Sequence, residues 1–171
     1  VYICLQIVVY ICMYNMQMNY KRYFPPSYLE ERLKNFNSSV KRTVLGRSVN
    51  DLPVYQLQIG NGEQNILMWS QMHGNETTTT IALLDFISWL LKTEQSKYLK
   101  FFSFFIIPQL NPDGSKLYTR QNINGVDLNR DAIDLSQPES IILRKAYEKI
   151  LPQYAINLHD QRTIYGSGPD G

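Results

Sequence analysis

Residues 66–92, ILMWSQMHGNETTTTIALLDFISWLLK, together with residues 101–107, FFSFFII, decide the fold. The first segment opens with a short apolar run at 66–70, and a helix capped by Asn75 is predicted to continue to about residue 92. The second segment is almost entirely apolar. Strand, helix and strand at this spacing predict a β-α-β unit, and continuously apolar strands are typical of a parallel sheet covered on both faces.

Four consecutive threonines, residues 77–80, oppose the prediction of a helix at its first turn. Threonine branches at Cβ and is individually a poor helix former. We therefore expect contacts from the packed protein, or from the site itself, to compensate at this position.

The flanking sequence predicts further elements on both sides of this unit. Extended segments at 41–46 and 53–59 predict an antiparallel start to the sheet, and residues 154–158 predict its last strand. Capping boxes predict two more helices, one from Ser27 and Glu30 to about residue 37, and one from Ser136 and Glu139 to a point before Pro152. The fold class is therefore α/β, with a mixed, mostly parallel central sheet flanked by helices.

The composition excludes several classes of protein. A chain of 171 residues with 44% hydrophobic content is long enough for one packed core. Its 17 basic and 15 acidic residues give a formal charge of +2, without the basic run expected of a nucleic-acid partner. Cys4 and Cys12 have no Cys or His partners at zinc-finger spacing.

Residues 1–20 form an apolar N-terminal segment that we separate from a domain at 21–171. Residues 1–14 are apolar except for Gln6, but this run is shorter than the ~20 residues that a membrane-spanning helix needs. The segment also lacks the basic leading region and the small-residue cleavage site of a signal peptide. We interpret it as incomplete or misassigned sequence, with a remnant signal or anchor as the alternative, and the compartment stays open.

Polar side chains gather where three of the predicted strands end. His73 and Glu76 follow the first strand of the β-α-β unit, residues 111–130 follow its second strand, and His159 follows the last strand. If these strands are parallel, all of these groups lie at one edge of the sheet, where open α/β sheets bind ligands. Two imidazoles and one carboxylate are a known set of catalytic zinc ligands, although each histidine could instead be a hydrogen-bonded residue at the edge of the core.

Several motifs in order make the sequence resemble the zinc metallocarboxypeptidase family, of carboxypeptidase A/B type. They are His-Gly-Asn-Glu at 73–76, Asn-Pro-Asp-Gly at 111–114, an arginine at 120, Gly-Val-Asp-Leu-Asn-Arg at 125–130 and Leu-His-Asp at 158–160. The resemblance implies a zinc carboxypeptidase-like fold and an enzyme that hydrolyses the C-terminal peptide bond of peptides or proteins.

The resemblance also implies a role for each matching residue. His73, Glu76 and His159 would bind one Zn²⁺ ion, and Arg120 would polarise the scissile carbonyl and stabilise the oxyanion. Asn129 and Arg130 would hold the terminal carboxylate of the substrate. Asp127 and Asp160 are expected to support the ligands rather than to bind the metal.

Three other interpretations remain open at this point. Arg120 and residues 127–130 could be ordinary loop charges on the surface. The aspartoacylase and succinylglutamate desuccinylase group shares the His-Gly-Asn-Glu and Asp-Leu-Asn-Arg elements and acts on N-acyl amino acids. A non-catalytic zinc-binding module could also keep the fold without the turnover.

The sequence departs from the family after His159. The family's glutamate general base and its substrate-capping tyrosine lie well downstream of the second zinc histidine, and only twelve residues follow it here. We therefore interpret the domain as truncated at its C-terminus, with an exposed sheet edge. We expect this chain to turn over peptides very slowly or not at all, and fast release of C-terminal residues by the purified chain would contradict this.

Overall fold

The computed structural model describes residues 23–92 and 94–160. The apolar segment 1–20 and both cysteines lie outside these residues, as does the tail after Asp160. The described part contains four α-helices, one short 3-10 helix at Ser96–Lys100 and five strands. In chain order they are α1 (Pro26–Leu33), β1 (Lys41–Arg47), β2 (Pro53–Ile59), β3 (Gln64–Trp69), α2 (Thr77–Leu90), β4 (Phe102–Ile107), α3 (Pro112–Leu117), α4 (Pro138–Ile150) and β5 (Tyr154–Asn157).

The five strands form one mixed sheet in the order β1-β2-β4-β3-β5. β1 pairs with β2 and β2 with β4 in antiparallel fashion, whereas β3 is parallel to both β4 and β5. The predicted β-α-β unit is thus β3-α2-β4, and the antiparallel start of the sheet is also confirmed. Parallel β3, β4 and β5 end at the same edge, which is the arrangement that the sequence predicted for the polar groups.

Helices cover both faces of the sheet, and the strand residues alternate strictly between the two cores. Even-numbered residues of β3 and β4, such as Met68 and Phe104, pack with α1 and α2, whereas odd-numbered ones, such as Leu67 and Ile107, face α4. Because neighbouring side chains of a strand point to opposite faces, a strand covered on both faces must be apolar throughout. This explains the nearly continuous apolar runs of the sequence.

Hydroxyl contacts offset the poor helix propensity of the threonines in α2. Thr79 Oγ1 donates to the carbonyl of Glu76 at 2.7 Å, and Thr78 Oγ1 donates to Asp160 at 2.6 Å. Thr80 Oγ1 lies 2.7 Å from both Gln71 Oε1 and the carbonyl of Pro108. These bonds join the first turn of α2 to the ends of β3, β4 and β5, so this threonine run is used for tertiary contacts.

The helix caps predicted for α1 and α2 are wrong. α1 begins at Pro26 after Pro25, and no side chain in the described part of the protein caps it; a proline at the first helical position needs no N–H partner. It ends at Leu33, whereas the sequence predicted about residue 37. The residue before α2 is Glu76, not Asn75, and it also makes no side-chain cap because its carboxylate contacts two histidines.

The capping box predicted for α4 is wrong as well, because its two members have other partners. The residue before the helix is Gln137. Asp131 accepts hydrogen bonds from the Ser136 and Gln137 N–H groups and from the Ser136 hydroxyl. The Glu139 carboxylate instead accepts from Asn122 and from the backbone of the β1–β2 turn. The buried Asp131, seven residues before the first residue of α4, therefore fixes the start of this helix.

Within residues 23–92 and 94–160, no helix has the length and apolar character needed to span a bilayer.

We predict that Asp131→Ala destabilises the protein because it removes the carboxylate that accepts hydrogen bonds from Ser136 and Gln137 just before α4. Burial raises the pKa of Asp131, but hydrogen bonds from Ser136 and Gln137 outweigh this effect and lower it below the usual value. The contribution is therefore present above the unfolded pKa of about 3.9 and disappears as the pH falls further. Urea denaturation at pH 7 should show a loss of about 3 kcal/mol in the free energy of unfolding.

The matched control for this change is Asp134→Ala, since Asp134 is an exposed aspartate of the same loop. Its free energy of unfolding should stay within about 0.5 kcal/mol of the unchanged protein. An Asp131→Ala protein as stable as this control at pH 7 would contradict the assignment.

Candidate metal centre

The ends of β3 and β5 bring both histidines of the chain to one carboxylate. His73 and Glu76 lie in the turn between β3 and α2, and His159 lies two residues after β5. The imidazole ring centroids are 4.9 Å apart. One ligand atom from each of His73, Glu76 and His159 lies within 4.8 Å of the other two, so these residues could hold a metal ion.

Each histidine directs its Nδ1 atom at a different oxygen of Glu76. His73 Nδ1 lies 2.7 Å from Oε1, and His159 Nδ1 lies 2.9 Å from Oε2. The Asp160 backbone N–H also donates to Oε2, at 3.2 Å. Burial raises the pKa of Glu76, but the hydrogen bonds and charges of His159 and His73 outweigh this effect and lower it to about 2. The carboxylate is therefore ionised, the form that a metal ligand requires.

Asp127 supports the other side of the His73 ring. Its Oδ1 atom lies 3.0 Å from His73 Nε2 and also accepts from the backbone N–H of Asn129 at 2.9 Å. Burial raises the pKa of Asp127, but His73, Asn129 and Arg120 together lower it below its usual value. A ligating histidine commonly donates its second ring N–H to a carboxylate, which fixes the ring orientation. Asp127 makes the supporting contact that the sequence analysis expected of it.

Arg120 lies beside the cluster, held by the same aspartate. Its Nε atom donates to Asp127 Oδ2 at 3.1 Å, and Nη1 is 3.7 Å from Glu76 Oε1. The Arg120 side chain is 38% exposed, so the guanidinium reaches solvent at the edge of the cluster. It is a fixed cation adjoining the candidate ligands.

Asn129 and Arg130 follow Asp127 but differ in their surroundings. The Asn129 side chain lines a cavity of about 250 Å³ that also reaches Met72 and Asn157. Arg130 is exposed, and its guanidinium has no hydrogen-bond or ion-pair partner among residues 23–92 and 94–160. The structure thus gathers His73, Glu76, His159 and Arg120 through direct contacts, and connects Asn129 and Arg130 to them only through the backbone next to Asp127.

Sequence reasoning missed Asn157, which contacts the second histidine. Asn157 Nδ2 lies 2.9 Å from His159 Nε2, and its Oδ1 is buried without a hydrogen-bond partner among the described residues. Residues two apart in a strand share a face, so the Asn-Leu-His order at the end of β5 was the available signal. A neutral amide has no characteristic spacing in the sequence, and this signal is weak.

The chemistry of the donor set fits a zinc ion. Two imidazole nitrogens and one carboxylate form a common catalytic zinc set that leaves a coordination position open. Both Nδ1 atoms face the carboxylate, and Asp127 holds the remote nitrogen of His73, as is usual around bound zinc.

Solved structures with the same fold are metallocarboxypeptidases. A metallo-carboxypeptidase from Burkholderia cenocepacia superposes with a TM-score of 0.73 at 20% identity, over 82% of this chain and 42% of that one. Carboxypeptidase A from Helicoverpa armigera gives a TM-score of 0.67 at 22% identity, over 80% of this chain and 44% of that one. At this identity the likeness shows the fold, which is that of the metallocarboxypeptidases.

Sequence comparison places the chain within one family. A family model for zinc carboxypeptidases matches residues 26–150. The chain is 31% identical over 121 residues to carboxypeptidase SOL1 of Arabidopsis thaliana, covering 62% of this chain and 25% of that protein. It is 30% identical over 146 residues to carboxypeptidase D of Rattus norvegicus, covering 67% of this chain and 10% of that protein. The chain belongs to the zinc carboxypeptidase family and spans a quarter or less of the length of these two relatives.

We predict that Asp127→Asn weakens zinc binding, because the neutral amide holds the His73 ring less firmly than the carboxylate does. Loss of such supporting groups lowers metal affinity by about 10–100-fold in zinc proteins. Isothermal titration with ZnCl₂ measures this effect. Asp134→Asn changes an exposed aspartate and should leave the affinity as it is; equal affinities for the two variants would rule out the supporting role of Asp127.

Proposed function

We propose that this chain carries the zinc-binding and substrate-orienting part of a metallocarboxypeptidase site, which hydrolyses the C-terminal peptide bond of peptides or proteins. The observation that carries the proposal is the approach of His73, Glu76 and His159 to within 4.8 Å, at the sheet edge where Arg120 also lies. Membership of the zinc carboxypeptidase family supports it.

The metal of this site is one zinc ion, with His73, Glu76 and His159 as its ligands. When bound, zinc acts as a Lewis acid and lowers the pKa of a water molecule to about 7. The protein contributes a carboxylate that is already ionised and two imidazoles whose Nδ1 atoms face it. Asp127 keeps the His73 ring in the orientation that metal binding needs.

Arg120 stabilises negative charge that develops on the oxygen of the scissile carbonyl. Asp127 restrains the guanidinium through Nε and Nη2, at 3.1 and 3.0 Å, so the cation does not have to reorganise during the reaction. Its Nη1 atom lies 3.7 Å from Oε1 of Glu76, one of the candidate ligands. A preorganised cation next to developing charge lowers the barrier most where water is excluded.

Asn129 and Arg130 bind the terminal carboxylate of the substrate. The Arg130 guanidinium is exposed and has no partner among the described residues, so no internal ion pair has to break when a carboxylate binds. A guanidinium can hold a carboxylate through two parallel hydrogen bonds, which a peptide carbonyl within a chain cannot accept. This contact restricts cleavage to the end of a chain.

The family match favours peptide hydrolysis over the hydrolysis of N-acyl amino acids. The matching family model is that of the zinc carboxypeptidases, and both relatives reported above are carboxypeptidases. The free Arg130 side chain fits either substrate, since both end in a carboxylate. A binding test therefore needs ligands that differ in their terminal group and in their length.

We predict that the purified chain takes up one equivalent of zinc after dialysis against ZnCl₂ and removal of free metal, as measured by elemental analysis. Glu76→Gln should reduce this uptake strongly, because it replaces the ionised carboxylate that both histidines face. The matched control is Glu63→Gln, which changes an exposed glutamate directly before β3 and should bind one equivalent of zinc. A folded chain that retains no zinc would refute the proposed function.

We predict that the zinc-loaded chain binds a blocked dipeptide with a free terminal carboxylate more tightly than the same dipeptide with a terminal amide. Arg130→Lys should weaken binding of the free acid by about 10-fold, since one bidentate contact is worth about 1.4 kcal/mol or more, and should leave amide binding unchanged. NMR titration measures both affinities. Arg42→Lys, on β1 and away from the site, controls for loss of an arginine; a loss of affinity for both ligands would contradict the assignment.

A further inference from the structure

Gln71 occupies a constrained position directly before the metal-binding turn. Its backbone has a positive φ of 43°, a conformation that non-glycine residues seldom adopt. Its side chain is completely buried, and its backbone carbonyl accepts a hydrogen bond from Asn111 N at 3.0 Å. A polar residue kept in this conformation without solvent contact is retained only where surrounding contacts fix it.

Every hydrogen-bonding position of the Gln71 amide is used. Nε2 donates to the carbonyl of Gly74 at 2.7 Å and to Ser115 Oγ at 3.1 Å. Oε1 accepts from Thr80 Oγ1 at 2.7 Å and from Gln109 Nε2 at 2.9 Å. An amide offers two donors and two acceptor positions, and each of the four has a polar atom within hydrogen-bond distance.

These four partners lie in four separate segments of the chain. Thr80 lies in α2, Ser115 lies in α3 and Gln109 follows β4. The fourth partner, Gly74, lies within the turn between the two candidate ligands, His73 and Glu76. The amide thus connects the peptide group between two ligands to the rigid elements around it.

The Gly74 segment is fixed on its other side by direct backbone packing. A Cβ atom on Gly74 would lie only 2.0 Å from the carbonyl carbon of Gly114 in α3. The turn is closed internally by a hydrogen bond from Glu76 N to the carbonyl of His73 at 3.0 Å. With the Gln71 amide on one side and α3 on the other, the Gly74 peptide has little freedom to rotate.

We propose that Gln71 is a positioning residue of the metal centre: its side-chain amide holds the Gly74 peptide and thereby sets the relative placement of His73 and Glu76. This inference rests on the proposed zinc site. The side-chain hydrogen bonds of Gln71 go to Gly74, Ser115, Thr80 and Gln109, so it acts through the backbone of the turn. Its contribution is preorganisation. The ligands are already held close to their metal-binding positions, so less conformational entropy is lost when the ion binds.

The test compares Gln71→Met with Gln109→Met in the zinc-binding chain. Methionine keeps the length of glutamine but makes no amide hydrogen bonds, so Gln71→Met releases the Gly74 carbonyl. Gln109→Met removes buried bonds to Gln71, Ser115 and Phe24 but leaves the bond from Gln71 to Gly74 in place. Both changes should lower the stability of the metal-free protein in urea.

The readouts that separate positioning from stability are metal affinity and the spectrum of bound cobalt. Competition with a chromophoric chelator should show zinc binding weakened by about 10–100-fold in Gln71→Met, as for other supporting groups, and unchanged in Gln109→Met. The visible absorption of Co²⁺ in place of zinc should shift in the first variant only, because the ligand geometry changes.

A further variant, Gln71→Gly, distinguishes the effect of losing the amide from the effect of the strained backbone conformation. It also provides a test if Gln71→Met does not fold. Glycine adopts a positive φ without strain, so it favours folding at this position while removing the amide. It should also weaken zinc binding. Zinc affinity and cobalt spectra of this variant like those of the unchanged chain would overturn the inference and leave the proposed function standing. Failure of the unchanged chain to bind zinc would overturn both.

Discussion

Two imidazoles share one buried carboxylate at the edge of this sheet, and the rest of the candidate site is arranged around that interaction. Glu76 is almost completely buried, which by itself opposes its ionisation. The two histidines outweigh this effect and lower the pKa of the carboxyl to about 2. The protein therefore maintains a buried negative charge with positively polarised neighbours on two sides, and a divalent cation can replace the hydrogen bonds between them.

The sheet supplies the constraint that makes this interaction possible. His159 lies 83 residues after Glu76 in the sequence, and Asp127 lies 54 residues after His73. Contacts at such separations require a scaffold that returns the chain to the same point. Parallel pairing of β3 with β4 and β5 aligns their carboxyl ends, so each loop leaves the sheet on the same side. The helices on both faces then fix the strands that carry these loops.

The sheet and the location of the site could be predicted from the sequence, because both depend on patterns that extend over many residues. Apolar runs at 66–70 and 101–107 predicted central strands, and the polar residues after them predicted a shared edge. The helix starts could not be predicted in the same way. Ser136 and Glu139 have the spacing of a capping box, yet their side chains contact Asp131 and Asn122, which the fold brings close. Short motifs do not reveal which of several nearby partners a polar side chain takes. The roles assigned to Arg120, Asn129 and Arg130 came from the resemblance and remain proposals.

The backbone contact between Gly74 and Gly114 makes the two segments that bear them interdependent. The glycine at 74 does not have a positive φ, and the obstacle to any other residue there is the space taken by the neighbouring main chain. The motif at 73–76 and the motif at 111–114 are thus one steric unit, although their glycines lie 40 positions apart in the sequence. Substitution tolerance at these two positions should be close to nil, and a displacement of the short helix α3 would be transmitted directly to the candidate metal ligands.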